Sequence, residues 1–223
     1  MPALPKALRR LTPDRLRDDP RLRGLAVGAG VIPPRALHSP AEAEVIARLA
    51  REASVAVEIG VYEGASAAVL CAALPAGSAL HLIDPFVDAT GHALPPGWGA
   101  TEQATRRVVE RARKARGADA PSVHWHPIPS ADAGRGWQTP VDLVFVDGDH
   151  SEEACGLDWE LFHPHVAPGG VVSFHDARLS QPGGDGSPGP TAVVDRLFRG
   201  AGAIGGWEIA DETHRLVTVR KLG

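Results

Sequence analysis

The sequence predicts an α/β fold: a Rossmann-like three-layer sandwich with a mostly parallel, seven-stranded sheet and a C-terminal antiparallel hairpin. Short apolar runs alternate with helix-like stretches, which is the pattern of a parallel sheet covered on both faces. Residues 206–221 contain two apolar runs with no helix between them, which indicates the hairpin. A chain of 223 residues is long enough for one such domain and short for two.

The elements follow in order from a helix whose start is well marked. Ser39 can cap this helix, Pro40 suits its first position, and Glu42 completes a capping box. Apolar runs then predict strands at residues 55–60, 79–86, 122–129, 141–147 and 169–176. Helices are expected between them, the last one opened by Pro190, and the hairpin turn is expected near residues 211–213.

Two of these helices differ in character. Residues 106–116 form a basic helix, which we interpret as a solvated face because no aromatic side chains interleave with the basic ones. Residues 151–166 predict a helix with one buried apolar side. That side is expected to hold Ala154, Leu157, Leu161 and Phe162.

Composition excludes several classes of protein. The formal net charge of −4 argues against a nucleic-acid-binding protein, and the longest apolar runs are of strand length, too short to span a membrane. Cys71 and Cys155 lack CxxC spacing and lie in helix-like stretches, which favours a reducing compartment. We therefore predict a cytoplasmic protein that binds neither nucleic acid nor a membrane.

Residues 1–38 are predicted to form a basic N-terminal arm or helical cap, and residues 39–223 a single domain. The arm is rich in arginine, but Asp14, Asp18 and Asp19 interrupt its first part, and no apolar segment of a targeting signal follows. We interpret it as a surface helix or arm through which a homo-oligomer could form.

The ends of the predicted strands carry the chemically interesting residues. In an open α/β sheet, ligands bind beyond the carboxyl ends of the strands, near the point where the strand order reverses. That rule selects Gly60, Asp84, Ser130, Asp147 and Asp176, which we expect along one edge of the sheet.

The stretch VEIGVYEGAS follows the first strand and favours a ribose-bearing ligand. Gly60 and Gly64 would let a ligand approach the backbone at a helix N-terminus, and Glu58 is an acid that needs a polar partner in an apolar strand. Asp84 follows Gly60 at roughly the 20-residue distance of a ribose-binding acid. The glycines could instead form only a tight turn and Asp84 only a cap. The absence of GxGxxG disfavours an NAD-dependent oxidoreductase.

The segment VFVDGDHSEEA offers three interpretations. Asp147 and Asp176 end neighbouring strands, where two carboxylates repel unless a cation or proton lies between them, and their oxygens suit Mg²⁺. His150 could act as a general base, because imidazole has a pKa near ~6.5. Alternatively, His150 could simply begin the next helix, with Asp149 helping to cap it. Asp149 could be either a ligand or an acid favoured at the helix start.

Four motifs together resemble those of class I S-adenosylmethionine-dependent methyltransferases: VEIGVYEGAS, LIDPF, DLVFVDGDHS and HVAPGGVVSFHD. The similarity covers residues 40–223 and is greatest to the branch with macrolide-sugar O-methyltransferases and cephalosporin-hydroxylase-like proteins. It implies an S-adenosylmethionine site formed by Glu58, Gly60, Gly64, Ser66, Asp84, Ser130 and Asp147. Asp84 would bind the ribose hydroxyls, and Ser130 would flank the adenine.

The resemblance also implies a metal-assisted O-methylation. In the D-G-x-H pattern of that branch the acid ligates metal and the histidine deprotonates a sugar hydroxyl, so we expect Asp147 and His150 to be catalytic. Asp147, His175 and Asp176 are expected to bind a divalent cation, foremost Mg²⁺. His175 departs from the family, which usually has an oxygen ligand there; it could bind a softer ion such as Mn²⁺ or Zn²⁺, or turn away to form a hydrogen bond.

The expected acceptor is a hydroxyl group of a small molecule, such as a sugar, a polyol or a catechol-like natural product. Three segments could cover it: the arm, residues 91–100 and residues 180–190. Trp98 and Trp137 could line its pocket or only pack. Two other functions compete. A metal-dependent hydrolase would leave the glycine turn unexplained, and a non-catalytic nucleotide-binding module would leave His150 unexplained.

Overall fold

The computed structural model describes residues 20–86 and 102–223. The strands of this part are β1 (Val55–Ile59), β2 (Ala79–Ile83), β3 (Ser122–His126), β4 (Val141–Val146), β5 (Val166–Phe174), β6 (Trp207–Thr213) and β7 (Leu216–Lys221). They form one seven-stranded sheet in the order β3-β2-β1-β4-β5-β7-β6. The pairs among β1 to β5 are parallel, and β7 is antiparallel to β5 and β6. The predicted fold class, including the hairpin, is confirmed.

The helices of the described residues are α1 (Pro20–Gly28), α2 (Pro40–Ala50), α3 (Ala65–Ala73), α4 (Glu102–Arg116), α5 (Ser130–Arg135), α6 (Glu152–Phe162) and α7 (Pro188–Phe198). The capping box predicted for α2 is confirmed. The Ser39 hydroxyl accepts a hydrogen bond from the Glu42 N–H at 3.2 Å, and the Glu42 carboxylate accepts one from the Ser39 N–H at 2.6 Å. None of these helices has the length and apolar character needed to cross a bilayer.

Each face of the sheet has its own hydrophobic core, because side chains alternate between the faces along a strand. On β4, Phe145 packs on the face covered by α2 and α3, whereas Val144 packs on the face covered by α6 and α7. The first core includes Ile46, Leu70, Leu82 and Leu216, and the second includes Val57, Trp159, Phe162, Phe174 and Val193. The sheet, packed on both sides, is a rigid base for the residues at its carboxyl edge.

The carboxyl edge of the sheet is continuous across the point where the strand order reverses, between β1 and β4. The residue after each strand still pairs with the backbone of its neighbour. The N–H groups of Gly60, Asp147 and His175 donate to the carbonyl oxygens of Ile83, Ile59 and Val146 at 2.9, 2.9 and 3.0 Å. The residues that follow β1, β4 and β5 are therefore held in register along one edge.

Three local predictions were wrong. The hairpin turn lies at His214 and Arg215, because β6 continues to Thr213. The last helix begins at Pro188, which also suits a first helical position. The buried side of α6 is also different: of the predicted set only Phe162 is fully buried, and the other buried residues are Cys155, Gly156, Asp158 and Trp159.

The described part of the predicted arm begins with a helix, α1, that lies on the domain. Helix α1 packs against α4, where the Arg111 guanidinium donates to the carbonyl oxygens of Gly28 and Val27 at 2.7 and 2.8 Å. Residues 1–19 and the predicted loop at residues 91–100, with Trp98, lie outside the described residues. The division of the chain after residue 38 remains a prediction.

Candidate active site

The candidate site has two halves, one after β1 and β2 and one after β4 and β5. They meet at Gly60. Its backbone is left-handed, with φ +86°, and a Cβ atom there would lie 2.0 Å from the carbonyl oxygen of Asp147. Only glycine fits so close an approach of two backbones. Gly60 therefore brings the turn of residues 60–64, called here the glycine turn, directly against the end of β4.

The glycine turn leads into α3 with the N–H groups of the helix uncapped. Gly64 is the N-cap residue, with φ +81°, and within the described residues no side chain caps this helix. Uncapped N–H groups at a helix N-terminus favour an anionic ligand group such as a carboxylate. The turn thus has the features that sequence reasoning expected from Gly60 and Gly64.

Glu58 lies fully buried beside this turn. One of its carboxylate oxygens accepts a hydrogen bond from the Ser66 hydroxyl, and the other, Oε2, has no hydrogen-bond partner among the described residues. Burial raises the pKa of Glu58 well above its ordinary value. A buried acceptor without a partner is costly, and an ammonium group of a ligand would satisfy it. The residues present fit an amino-acid-like cofactor end.

Asp84 holds the glycine turn from the end of β2. Its Oδ2 atom accepts hydrogen bonds from the N–H groups of Val61 and Tyr62, both at 2.8 Å, and Oδ1 accepts one from the N–H of Phe86 at 2.6 Å. This carboxylate therefore shapes the backbone of the turn. Oδ1 has a second lone pair that can accept a further hydrogen bond, so the predicted contact with a ribose is compatible with this role and stays a prediction.

Ser130 lies at the other end of the edge, as the first residue of α5. Across from it lies Asp158 on α6, which is 2% exposed. Burial raises the pKa of Asp158 to about 6. Sequence reasoning missed Asp158, because an acid is not expected on the buried side of a helix. Burial has the larger effect on this pKa, and Ser130 opposes it.

Three predicted residues converge after β4 and β5. The His175 Nδ1 atom lies 3.0 Å from Asp147 Oδ1 and 3.4 Å from Asp176 Oδ2. Burial alone would lower the pKa of His175, but the two carboxylates raise it to about 10. Burial would raise the pKa of Asp147, but His150 and His175 beside it hold that pKa below its ordinary value. The repulsion expected between the two acids is thus offset by an imidazolium between them.

Two residues that the sequence did not assign to the site complete its charge balance. The Arg215 guanidinium lies 2.9 Å from Asp176 Oδ1, and the Arg215 N–H donates to Glu42 Oε1 at 2.9 Å. The fully buried Glu42 carboxylate also faces His175 Nε2 at 3.8 Å. Burial would raise the pKa of Glu42, but hydrogen bonds from Ser39 and Arg215 hold it below its ordinary value. The name charged cluster is used below for Glu42, Asp147, His150, His175, Asp176 and Arg215.

His150 faces the charged cluster from the solvent side. Its Nε2 atom lies 3.6 Å from Asp147 Oδ1 and 3.7 Å from Asp176 Oδ2, and its side chain is 40% exposed. Asp147 raises the pKa of His150 above its ordinary value, an effect larger than the opposing one of burial. The ring is therefore held by two carboxylates and remains open to a ligand.

The start of α6 does not require the His150 side chain. Ser151 is the N-cap residue, and its hydroxyl accepts a hydrogen bond from the Ala154 N–H at 3.2 Å. Asp149 accepts one from the Ser151 N–H at 2.7 Å and is exposed. Capping is thus carried out by Asp149 and Ser151, which leaves the imidazole of His150 for another role.

The glycine-rich loop after Asp176 folds back onto the site. Its Gly186 forms a bridge with Ala177, and the Ser187 N–H donates to the Asp176 carbonyl oxygen at 2.8 Å. The Ser187 hydroxyl lies 3.3 Å from His150 Nδ1. Residues 180–190, expected to cover the acceptor, therefore border His150.

Trp137 and the histidines of β2 and β3 lie away from this cluster. The Trp137 ring is 8% exposed and packs edge-on against His81, with ring centroids 4.8 Å apart. His81 also stacks on His124 and contacts His126 Nε2 through its Nδ1 at 3.1 Å. Trp137 thus has a packing position, one of its two predicted roles.

A divalent cation fits the predicted ligand set. One ligand atom from each of Asp147, His175 and Asp176 lies within 4.8 Å of the others, and no second group of this kind occurs in residues 20–86 and 102–223. Atoms on opposite sides of a cation with bonds of about 2.0–2.4 Å are separated by a similar distance. Carboxylate oxygens with one imidazole nitrogen suit a divalent ion of moderate softness.

Fold and site together define a class. A parallel α/β sheet with an antiparallel final hairpin, a glycine turn after β1 and ionisable residues after β4 and β5 are the features of a class I methyltransferase. The chain belongs to the methyltransferase domain family Methyltransf_24, whose model matches residues 57–177. The predicted enzyme class, an S-adenosylmethionine-dependent methyltransferase, is confirmed at the level of family and fold.

Solved structures of O-methyltransferases share this fold. The S-adenosylhomocysteine complex of an O-methyltransferase from Bacillus cereus has a TM-score of 0.61 at 16% identity, over 89% of each chain. TomG from Streptomyces achromogenes, which is involved in tomaymycin synthesis and was solved with S-adenosylmethionine, has a TM-score of 0.59 at 20% identity, over 90% of this chain and 88% of TomG. CalS11, a TDP-rhamnose 3'-O-methyltransferase of calicheamicin biosynthesis, has a TM-score of 0.55 at 15% identity, over 81% of this chain and 77% of CalS11.

Proposed function

We propose that the protein transfers a methyl group from S-adenosylmethionine to a hydroxyl oxygen of a small molecule. The observation that carries the proposal is the contact at Gly60, which brings the glycine turn against Asp147 of the charged cluster. A cofactor at the turn and an acceptor at the cluster would therefore be neighbours. S-adenosylmethionine, when bound, supplies a methyl group already activated on a sulfonium, so the protein must orient the acceptor and deprotonate it.

The turn is proposed to bind the amino-acid end of the cofactor. Uncapped N–H groups of α3 after Gly64 would receive its carboxylate, and the free Oε2 atom of Glu58 would receive its ammonium group. Ser66 fixes the Glu58 carboxyl. Asp84 would bind the ribose, and Ser130 would border the adenine at the far end of the edge.

His150 is proposed as the general base. A hydroxyl is a poor nucleophile at neutral pH, and a positioned imidazole that accepts its proton contributes about 10²–10⁴-fold to the rate. Asp147 and Asp176, at 3.6 and 3.7 Å from Nε2, would stabilise the imidazolium that forms. The side chain is open to solvent on one side, where an acceptor can reach it.

Asp147, His175 and Asp176 are proposed to hold a divalent cation, Mg²⁺ or a softer ion such as Mn²⁺. The ion would lower the pKa of a bound hydroxyl group. Its positive charge would also balance the negative charge of Asp147 and Asp176, which His175 and Arg215 balance when no ion is bound. Two adjacent oxygens of a sugar, polyol or catechol-like natural product would suit such an ion, and the fold shared with CalS11 and TomG supports this acceptor class.

The remaining expectations on setting and partners follow the same proposal. Cys71 and Cys155 are buried free thiols, which suits a reducing cytoplasm. The proposed partner is the small-molecule acceptor, without nucleic acid or membrane. A homo-oligomer through the arm of residues 1–38 remains part of the proposal.

Calorimetry with the purified protein tests the cofactor. We expect S-adenosylmethionine and S-adenosylhomocysteine to bind and NAD not to bind. Absence of binding by both adenosyl ligands would refute the proposal and favour a hydrolase built on the Asp/His cluster. Binding without any methyl transfer to a broad panel of hydroxylated acceptors would favour a nucleotide-binding module.

Mn²⁺ tests the metal site independently of activity. We expect its electron paramagnetic resonance signal to change on binding to the wild-type protein and to remain that of free ion with Asp176→Asn. Asp185→Asn, in the exposed part of the glycine-rich loop, is the control. Full methyltransferase activity after exhaustive chelation would show that the cation is dispensable.

A further inference from the structure

We propose that residues 20–38, called here the cap, control cofactor affinity through a buried ion pair between Arg23 and Glu63. This inference rests on the proposed function, because it concerns the S-adenosyl ligand of the glycine turn. Arg23 would be a positioning residue: it does not contact the cofactor but fixes the backbone that does.

The glycine turn needs external support because one of its non-glycine residues, Tyr62, has a strained backbone. Gly60 and Gly64 are left-handed, and so is Tyr62, with φ +50°. A non-glycine residue in this region persists only when its surroundings hold it there. Asp84 holds the turn from β2, and the Thr105 hydroxyl donates to the Tyr62 carbonyl oxygen at 2.5 Å from α4.

The cap supplies further support through Glu63. The Arg23 guanidinium forms two parallel hydrogen bonds with the Glu63 carboxylate, from Nε at 2.6 Å and from Nη2 at 2.7 Å. The Arg35 N–H donates to Glu63 Oε2 at 2.7 Å, and the Arg35 guanidinium donates to the Tyr62 hydroxyl at 3.1 Å. One end of the cap thus binds Glu63, and the other binds both Tyr62 and Glu63.

Because this ion pair is buried, we expect the cap to be either docked or undocked. Arg23 and Glu63 are 8% and 3% exposed, and a buried charge whose partner is removed is strongly destabilised. The cap therefore either docks with the pair intact or leaves and exposes Glu63 to water. Since Glu63 directly precedes Gly64, the N-cap of α3, undocking would release the backbone that is proposed to bind the cofactor carboxylate.

Coupling of this kind is reciprocal: if docking of the cap improves cofactor affinity, the cofactor must favour docking of the cap. The cap would then be more protected from hydrogen exchange when the cofactor is bound. A purely structural ion pair would not give this ligand dependence. The difference distinguishes a positioning role from a stabilising one.

The test measures S-adenosylhomocysteine affinity by calorimetry and hydrogen exchange of residues 20–38 with and without that ligand. For Arg23→Gln we expect the Kd to rise about tenfold or more and the ligand-dependent protection of the cap to disappear. Arg23→Lys keeps the charge without the planar fork and should give an intermediate Kd. Arg48→Gln is the control, because Arg48 on α2 forms an exposed ion pair with Asp211 on β6.

The outcomes separate the two proposals. If the wild-type protein does not bind S-adenosylhomocysteine, the proposed function fails and this inference with it. If the wild-type protein binds it but Arg23→Gln keeps the wild-type Kd and the protection of the cap, only this inference is refuted. If Arg23→Gln does not fold, Arg23→Lys decides: an unchanged Kd and unchanged protection refute the inference.

Discussion

The two halves of the carboxyl edge solve the problem of buried polar groups in opposite ways. Within β1 and β2, Glu58 and His81 favour their neutral forms: burial raises the pKa of Glu58 and lowers that of His81 to about 4. After β4 and β5 they favour their charged forms, because acids and bases alternate. There the pKa of His175 is raised to about 10 and that of Asp176 is lowered.

Each half therefore depends on a different property. The first half depends on backbone shape, since glycines and N–H groups form its surface and its acids serve as hydrogen-bond acceptors. The second depends on charge balance among side chains from several elements. Apart from the Arg23–Glu63 ion pair, substitutions that change size should therefore act most on the first half, and substitutions that change charge or basicity most on the second.

The largest expected effect is on turnover in the second half. His150→Ala should reduce kcat by about 10²–10⁴-fold, because the proposed base is lost, and leave S-adenosylhomocysteine affinity nearly intact. Initial rates with an identified acceptor, together with calorimetry, measure both. His165→Ala, before β5 at the opposite edge of the sheet, is the control. Wild-type turnover in His150→Ala would restrict His150 to a packing role.

The next effect is on stability at the contact between the halves. Gly60→Ala should lower the free energy of unfolding by about 3 kcal/mol or more, because the left-handed backbone is unfavourable for alanine and its Cβ would meet the Asp147 carbonyl. Gly77→Ala is a matched control: Gly77 has φ +81°, but a Cβ atom there meets nothing within 4 Å. It should cost about 1 kcal/mol. Equal losses in urea denaturation would contradict a close contact at Gly60.

A smaller effect concerns charge in the first half. The pKa of His81 is about 4 in the folded protein because of burial and of His124 and His126 nearby, below its ordinary value of 6.5. As the pH falls from 6.5 to 4, the unfolded chain takes up a proton that folded His81 does not, so stability decreases in this window and not above it.

Because His81 is only half-buried and solvent screens its charge, we expect the unfolding free energy to decrease by about 1 kcal/mol in this window. His81→Gln should remove this part of the pH dependence, measured as unfolding free energy at pH 4.5 and 7. His214→Gln, at the exposed hairpin turn, is the control. A pH dependence equal to that of the wild type in His81→Gln would show that His81 is not kept neutral.

The smallest effect is expected for Asp149. Asp149→Asn should lower the unfolding free energy by no more than about 0.5 kcal/mol, since an asparagine oxygen can still accept the Ser151 N–H and only the charge at the helix start is lost. S-adenosylhomocysteine affinity and turnover should stay within about twofold of the wild type. A loss of turnover comparable to that of His150→Ala would place Asp149 in the charged cluster after all.

The sequence predicted the parts of the fold and site that depend on local pattern. Strand runs, the residues at their ends and the capping box of α2 are read from neighbours in the chain, so the sheet edge with Gly60, Asp147 and Asp176 could be anticipated. The turn of the hairpin and the start of α7 differed by a few residues, because strand and helix ends depend on tertiary pairing as well as on local residues.

Contacts between distant segments could not be predicted in this way. Arg215 and Glu42 meet across the fold, and so do Arg23 and Glu63, yet no local pattern marks either pair. The buried side of α6 was mispredicted for a related reason: hydrophobic periodicity assigns acids to the surface, and Asp158 is buried. Buried polar residues are thus the systematic gap.

Arg215 is synthesised after the acids that it contacts in the site. Glu42 and Arg215 are 173 residues apart, and at about 5–20 residues per second translation takes roughly 10–30 s to proceed from one to the other. During that interval Glu42, Asp147 and Asp176 can all have been synthesised without the guanidinium that later neutralises two of them. Until the final hairpin has been made, the charge of these acids must therefore be compensated by His175, by water or by small counterions.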